Sequence, residues 1–106
     1  MMNMGNMNKM MKQVQKMQAD MAKLEEELAT RTVEATVGGG LVKAVANGRQ
    51  EITAIEIKPE VVDPEDVETL SDLVLAAVNS ALQEAKKMVS SEMARLTGGM
   101  NIPGLF

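Results

Sequence analysis

Apolar residues recur at Met7, Met10, Val14, Met17, Met21, Leu24 and Leu28, with spacings of 3, 4, 3, 4, 3 and 4. A 3.5-residue repeat held over three heptads predicts an α-helix whose apolar stripe is only two positions wide per heptad. That is narrower than the face a helix usually lays on a globular core. It fits a coiled-coil seam or a helix packed lengthwise on one partner, with an ordinary core helix as the plainer alternative. Met1 to Asn6 lack the period and contain Gly5 and two asparagines, which predicts a flexible leader over 1–6 and a helix over 7–29.

After Thr30 the period becomes two. Val33, Ala35 and Val37 alternate with Glu34 and Thr36, and β-branched runs resume after Gly38-Gly39-Gly40 and after Asn47-Gly48. Strands over 33–37, 41–46 and 51–57 in an antiparallel meander follow. A three-residue turn at 46–48 with Gly48 left-handed would set Val42 opposite Ile52 and Lys43 opposite Glu51. In that register the third strand shows apolar residues on both faces, Ile52 and Ala54 against Ile55 and Ile57. Lys58-Pro59 ends the strand, since proline cannot donate to the ladder. Asp63 as N-cap and Pro64 at the first helical position open a helix over 64–97, which Ser71 can recap, allowing a break near residue 70. Gly98-Gly99 reads as its C-cap and 98–106 as a mobile tail. The fold class is α+β, ordered αβββα(α), as one domain over 7–97.

A chain of 106 residues has room for one core. Cysteine and histidine are both absent, which removes thiolate and imidazole nucleophiles, the usual zinc sites, disulfides and general acid–base work near neutral pH. No enzymatic activity, cofactor, metal or small-molecule substrate is expected. Phe106 is the sole aromatic residue, so recognition of single strands by base stacking is excluded. The longest apolar run, Leu73 to Val78, is six residues where a membrane span needs about 20; a cytoplasmic protein with no membrane partner is expected. The glycine triplet has neither Walker nor dinucleotide spacing and precedes a strand, so a hairpin connection is the better reading. Seven acids between Glu56 and Asp72 match no calcium loop and form a solvated face.

Charge is segregated along the chain. Lys9, Lys12, Lys16 and Lys23 fall at spacings of 3, 4 and 7, hence on one helix face, outward from the seam. Against Asp20 alone they give residues 1–24 a charge of +3, while residues 25–106 carry seven cations and 14 acids, or −7. The 14 steps from Lys9 to Lys23 cover about 21 Å. This row is a candidate for phosphate contacts with double-stranded DNA, with Gln13, Gln15 and Gln18 adding polar contacts and Arg31 a lesser candidate. The plain alternative is that lysine simply occupies an exposed helix face. Eight of eleven methionines lie in the first 21 residues, so a third reading is a Met-rich module that docks client helices without DNA, or the apolar side of a membrane-surface helix. Three short strands with two open edges and two helices make a thin core, which points to a homodimer.

Several segments carry a resemblance. Met10-Met11-Lys12-Gln13-Val14-Gln15-Lys16-Met17-Gln18, Gly38-Gly39-Gly40-Leu41-Val42-Lys43 with Asn47-Gly48, Leu70-Ser71-Asp72-Leu73-Val74, Ala76-Ala77-Val78-Asn79-Ser80-Ala81 and Gly99-Met100-Asn101-Ile102-Pro103-Gly104 together resemble the YbaB/EbfC family of bacterial nucleoid-associated proteins. The resemblance runs through nearly the whole chain in order. It implies a tweezer-like homodimer of αβββα type that binds duplex DNA at the nucleoid through projecting helices, with no enzymatic motif and no invariant base-reading residue. The matching projecting segment here is Lys12 to Lys16. Acidity beyond residue 24 departs from a DNA-binding surface unless the basic helices stand apart from the body.

Overall fold

The computed structural model describes residues 4–97. Helix α1 (Met4–Thr30) leads into strands β1 (Thr32–Val37), β2 (Val42–Asn47) and β3 (Ile52–Ile57), a 3-10 turn at Pro59–Val61, and helix α2 (Val67–Thr97). The strands form one antiparallel sheet in the order β1-β2-β3, the α+β meander between two long helices that the periodicities predict. Helix α1 begins three residues earlier than expected. A glycine inside a helix costs only about 1 kcal/mol relative to alanine, so Gly5 does not stop it, and what remains of the expected leader, 1–3, lies outside the described residues. So do the expected Gly98-Gly99 cap and tail over 98–106.

The second helix starts later than expected. Asp63 accepts the Glu65 N–H at 2.9 Å and, through its own carbonyl, the Asp66 N–H at 2.9 Å, closing a turn over 63–66. Asp66 is the cap: its carboxylate takes the Thr69 N–H at 3.3 Å and the Thr69 hydroxyl at 2.7 Å. Two aspartates three residues apart offer the same signal, and the second prevails. From Val67 the helix runs unbroken past Ser71.

The hairpin between β2 and β3 corrects the expected register. Val42 pairs with Ile57, Lys43 with Glu56 and Ala44 with Ile55, and a bulge between Val45 and Ala46 brings Ala46 opposite Ile52. Asn47 stays in β2 and organises the turn with its own amide. Its Oδ1 accepts the N–H groups of Arg49 (2.9 Å) and Glu51 (3.1 Å), and its Nδ2 donates to Glu51 Oε1 at 3.0 Å. Gln50, not Gly48, takes the left-handed backbone, with φ 59°. Because the bulge shifts the alternation by one residue, Ile52, Ile55 and Ile57 gather on one face instead of dividing between two. The glycine triplet is conformational: Gly38, Gly39 and Gly40 have φ of 63°, 69° and 93° in the β1–β2 turn, a region that excludes most side chains.

Helix α2 lies across one face of the sheet. Ala77, Ala81 and Ala85 are fully buried against Val42, Ala44 and Ala46 of β2, joined by Val61. Alanine on both sides lets helix and sheet approach closely, and it keeps the core thin; Val42 is the largest fully buried side chain. Helix α2 covers β1 and β2 and barely reaches β3, so Ile55 and Ile57 remain 42% and 41% exposed on the helix-bearing face. The molecule is a rod of 77 × 22 × 16 Å.

A candidate nucleic-acid interface on the first helix

Helix α1 is an arm more than a layer. Its 27 residues extend about 40 Å, and side chains 6–16 are all exposed. The apolar seam meets the body only toward its C-terminal end: Met17, Met21 and Leu24 are half-buried and Leu28 is 3% exposed. Leu28 shares a hollow with Ala22 of α1, Gly48 of the β2–β3 turn, and Val89 and Met93 of α2. The other half of the seam, Met7, Met10 and Val14, is 47%, 61% and 54% exposed, and Met11 beside it 58%. The narrow stripe thus reflects lengthwise packing over half its length and an unpartnered surface over the rest.

The lysines occupy the other side of the arm. At about 100° per residue, Lys9, Lys12, Lys16 and Lys23 fall within a sector of roughly 60°, opposite the methionines. All four are exposed, and among the described residues none forms an ion pair. Of the seven cations after residue 24, four are paired, while Arg49, Lys58 and Lys86 form no ion pair among the described residues. Lys43 Nζ lies 2.6 Å from Glu56 and 3.4 Å from Glu34, Lys87 3.5 Å from Glu84, and Arg95 3.4 Å from Glu92. Arg31, read as a lesser member of the basic row, stands at the α1–β1 junction with its guanidinium 3.2 Å from Glu92 of α2. The structure therefore brings the four lysines together and sets Arg31 apart. Gln13 flanks the lysine sector, while Gln15 and Gln18 point to the methionine side. A row of unpaired ammonium groups on a projecting helix can meet a row of phosphates with the acidic body held away.

A model of the YbaB/EbfC DNA-binding family matches residues 4–100. The chain belongs to the YbaB/EbfC family. A nucleoid-associated protein of Pelotomaculum thermopropionicum is 70% identical over 102 residues, covering 96% of this chain and 97% of its own. One from Desulforamulus reducens is 69% identical over 102 residues, with the same coverage of both chains, and one from Thermoanaerobacter sp. is 66% identical over 101, covering 95% and 91%. The fold has a solved counterpart in the crystal structure of the uncharacterized protein HP0035 of Helicobacter pylori. It aligns with a TM-score of 0.71 over 91% of this chain and 98% of that one, at 19% identity. This YbaB/EbfC chain is thus one of a family of nucleoid-associated DNA-binding proteins, which is not a class of enzymes. No helix among its described residues is long and apolar enough to cross a membrane. Sequence reasoning missed the Asp66 cap and the Arg31–Glu92 tie in it. Asn47-Gly48 was visible as a turn, but nothing in the sequence says that this turn touches α1.

Proposed function

We propose that this chain binds double-stranded DNA through lysine contacts to the phosphate backbone, with little dependence on base sequence, and that it contributes in this way to nucleoid organisation or gene regulation. The observation that carries the proposal is the set of four exposed, unpaired lysines on one side of the α1 arm. Lysine is a point charge that neutralises phosphate without reading base edges. Each contact releases counterions and adds about −0.9 to the slope of log affinity against log salt. Titrating the native protein into duplexes of unrelated sequence at several salt concentrations tests this. Affinities that agree between sequences and fall steeply with salt support the reading, and affinity that survives high salt or follows one sequence contradicts it.

The binding unit in this reading is a homodimer, which presents eight such lysines. Ile55 and Ile57 stand exposed on the helix-bearing face of an edge strand. Leu75, 60% exposed, is on the α2 flank that also carries Leu82 and Val89, the side turned to β3. Covering these side chains and the unpaired β3 edge with a second copy removes apolar surface from water and satisfies backbone groups.

A second reading has its own observation. The open patch of Met7, Met10, Met11 and Val14 is soft, adaptable apolar surface suited to a partner helix. Binding of that kind survives salt and responds to methionine substitution, which separates it from the lysine mechanism.

A further inference from the structure

Few contacts fix the direction of α1. Apart from its half-buried seam, the helix is held by the plug of Leu28 and, among the described residues, by a backbone hydrogen bond from the β2–β3 turn: the Gly48 N–H donates to the Leu28 carbonyl at 2.9 Å. That carbonyl lies in the last turn of the helix, where backbone acceptors lack intrahelical donors, and it also takes the Arg31 N–H at 3.2 Å. Gly48 lies close against it. A Cβ at position 48 would stand 2.6 Å from the Leu28 carbonyl carbon and 2.8 Å from the Leu28 Cβ, within touching range of the carbonyl oxygen. Gly48 is not in the left-handed region, which in this turn belongs to Gln50. Glycine is required at 48 by the approach of the helix, not by the turn.

The turn is well placed to serve as a stop. Asn47 is buried, and its amide ties Arg49 and Glu51 into one rigid loop around Gly48. We infer that Gly48 is a positioning residue: its bare Cα and its N–H set the angle at which the lysine-bearing helix leaves the body. Lys9 lies 19 residues from Leu28, about 28 Å along the arm, so a tilt of about 10° at Leu28 moves Lys9 by roughly 5 Å. Phosphates succeed one another every 3.4 Å or so along each strand of a duplex. The tilt therefore changes which phosphates the arm can meet without removing any charge. The consequence for DNA rests on the function proposed above; the consequence for helix direction does not.

The test is Gly48→Ala in the full chain, in a background carrying Asn8→Cys on the arm and Glu65→Cys on the body. The chain has no cysteine of its own, so spin labels at these two sites report one distance, with labelled subunits diluted into unlabelled protein. With helix content unchanged, the substitution is expected to shift or broaden that distance by about 5 Å and to weaken duplex binding roughly tenfold at fixed salt although every lysine remains. An unchanged distance overturns the inference. A changed distance with undiminished lysine-dependent binding overturns the link to DNA. If the native protein shows no lysine-dependent binding, the proposed function fails and the distance alone decides the positioning role. Should Gly48→Ala not fold, amide exchange in the native protein decides: slow exchange at Gly48 supports the bond to Leu28, and exchange at the rate of a free turn amide removes it.

Discussion

Lys43 stands between two carboxylates on the open face of the sheet, and its hydrogen bonds to Glu56 and then Glu34 raise its pKa above the ordinary lysine value. A folded-state pKa above the unfolded one makes the contribution to stability complete below the ordinary lysine pKa and lost as pH rises through the raised value. Urea midpoints of the native chain are therefore expected to fall, as pH rises above the ordinary lysine pKa of about 10.4, more steeply than those of Lys43→Met; equal slopes would show the triad contributes nothing. Ala81 makes a sharper demand. It is fully buried between α2 and β2, and Ala81→Leu is expected to cost at least 1–3 kcal/mol in chemical denaturation, because no space receives the added atoms. The alternation of the second strand puts Val42 and Ala44 on one face, while Ala46, which the expected 46–48 turn took out of the ladder, is core as well. Ala77, Ala81 and Ala85 fall on one helix face by their spacing of four. The contact of Gly48 with Leu28 was not legible. It depends on two segments 20 residues apart meeting at one backbone carbonyl, and no local pattern encodes that.

At the scale of elements, the helices and strands were readable from period alone, while their ends were decided by competing local signals. Asp63-Pro64 has every mark of a helix start, yet Asp66 with Thr69 closes the cap one turn later. Asp66→Ala is accordingly expected to cost about 1 kcal/mol and Asp63→Ala less, read from thermal unfolding of the two variants; the reverse order would return the cap to Asp63. The β2–β3 register failed for a related reason. Asn47 stays in the ladder opposite Glu51, so the loop is 48–50 and not 46–48. This displacement, with one more residue from the bulge at Val45/Ala46, moves Lys43 from Glu51 to Glu56. The heptad stripe of α1 marked a narrow interface and said nothing of its extent. Its half-buried part begins at Met17, and the side chains of 6–16 are exposed.

The whole molecule resolves the conflict between an acidic chain and an anionic partner by separating the charges in space. Four lysines and one aspartate sit on residues 1–24 and a net −7 on the rest. Lys9, Lys12 and Lys16 precede the first acid of that rest, Glu25, by nine residues or more, about 13 Å along the helix and beyond a Debye length of about 8–10 Å at physiological salt, whereas Lys23 lies within a turn of Glu26 and Glu27. The proposed second copy belongs to the same scale. Ile55→Glu with Ile57→Glu, at side chains already 42% and 41% exposed, is expected to leave the fold intact and to halve the mass seen by light scattering after size exclusion, since charge on an apolar interface is not compensated; an unaltered mass would contradict the proposed dimer interface on β3. In the proposed function the lysine face of α1 carries DNA binding. Its most direct test is fluorescence anisotropy of a labelled 30-base-pair duplex across salt concentrations, comparing the native protein with one in which Lys9, Lys12, Lys16 and Lys23 are all changed to Gln. Phosphate contacts by these lysines predict a steep negative slope of log affinity against log salt for the native chain and a flattened slope with much weaker binding for the variant. Equal slopes in the two proteins, or no native binding at low salt, would contradict this reading.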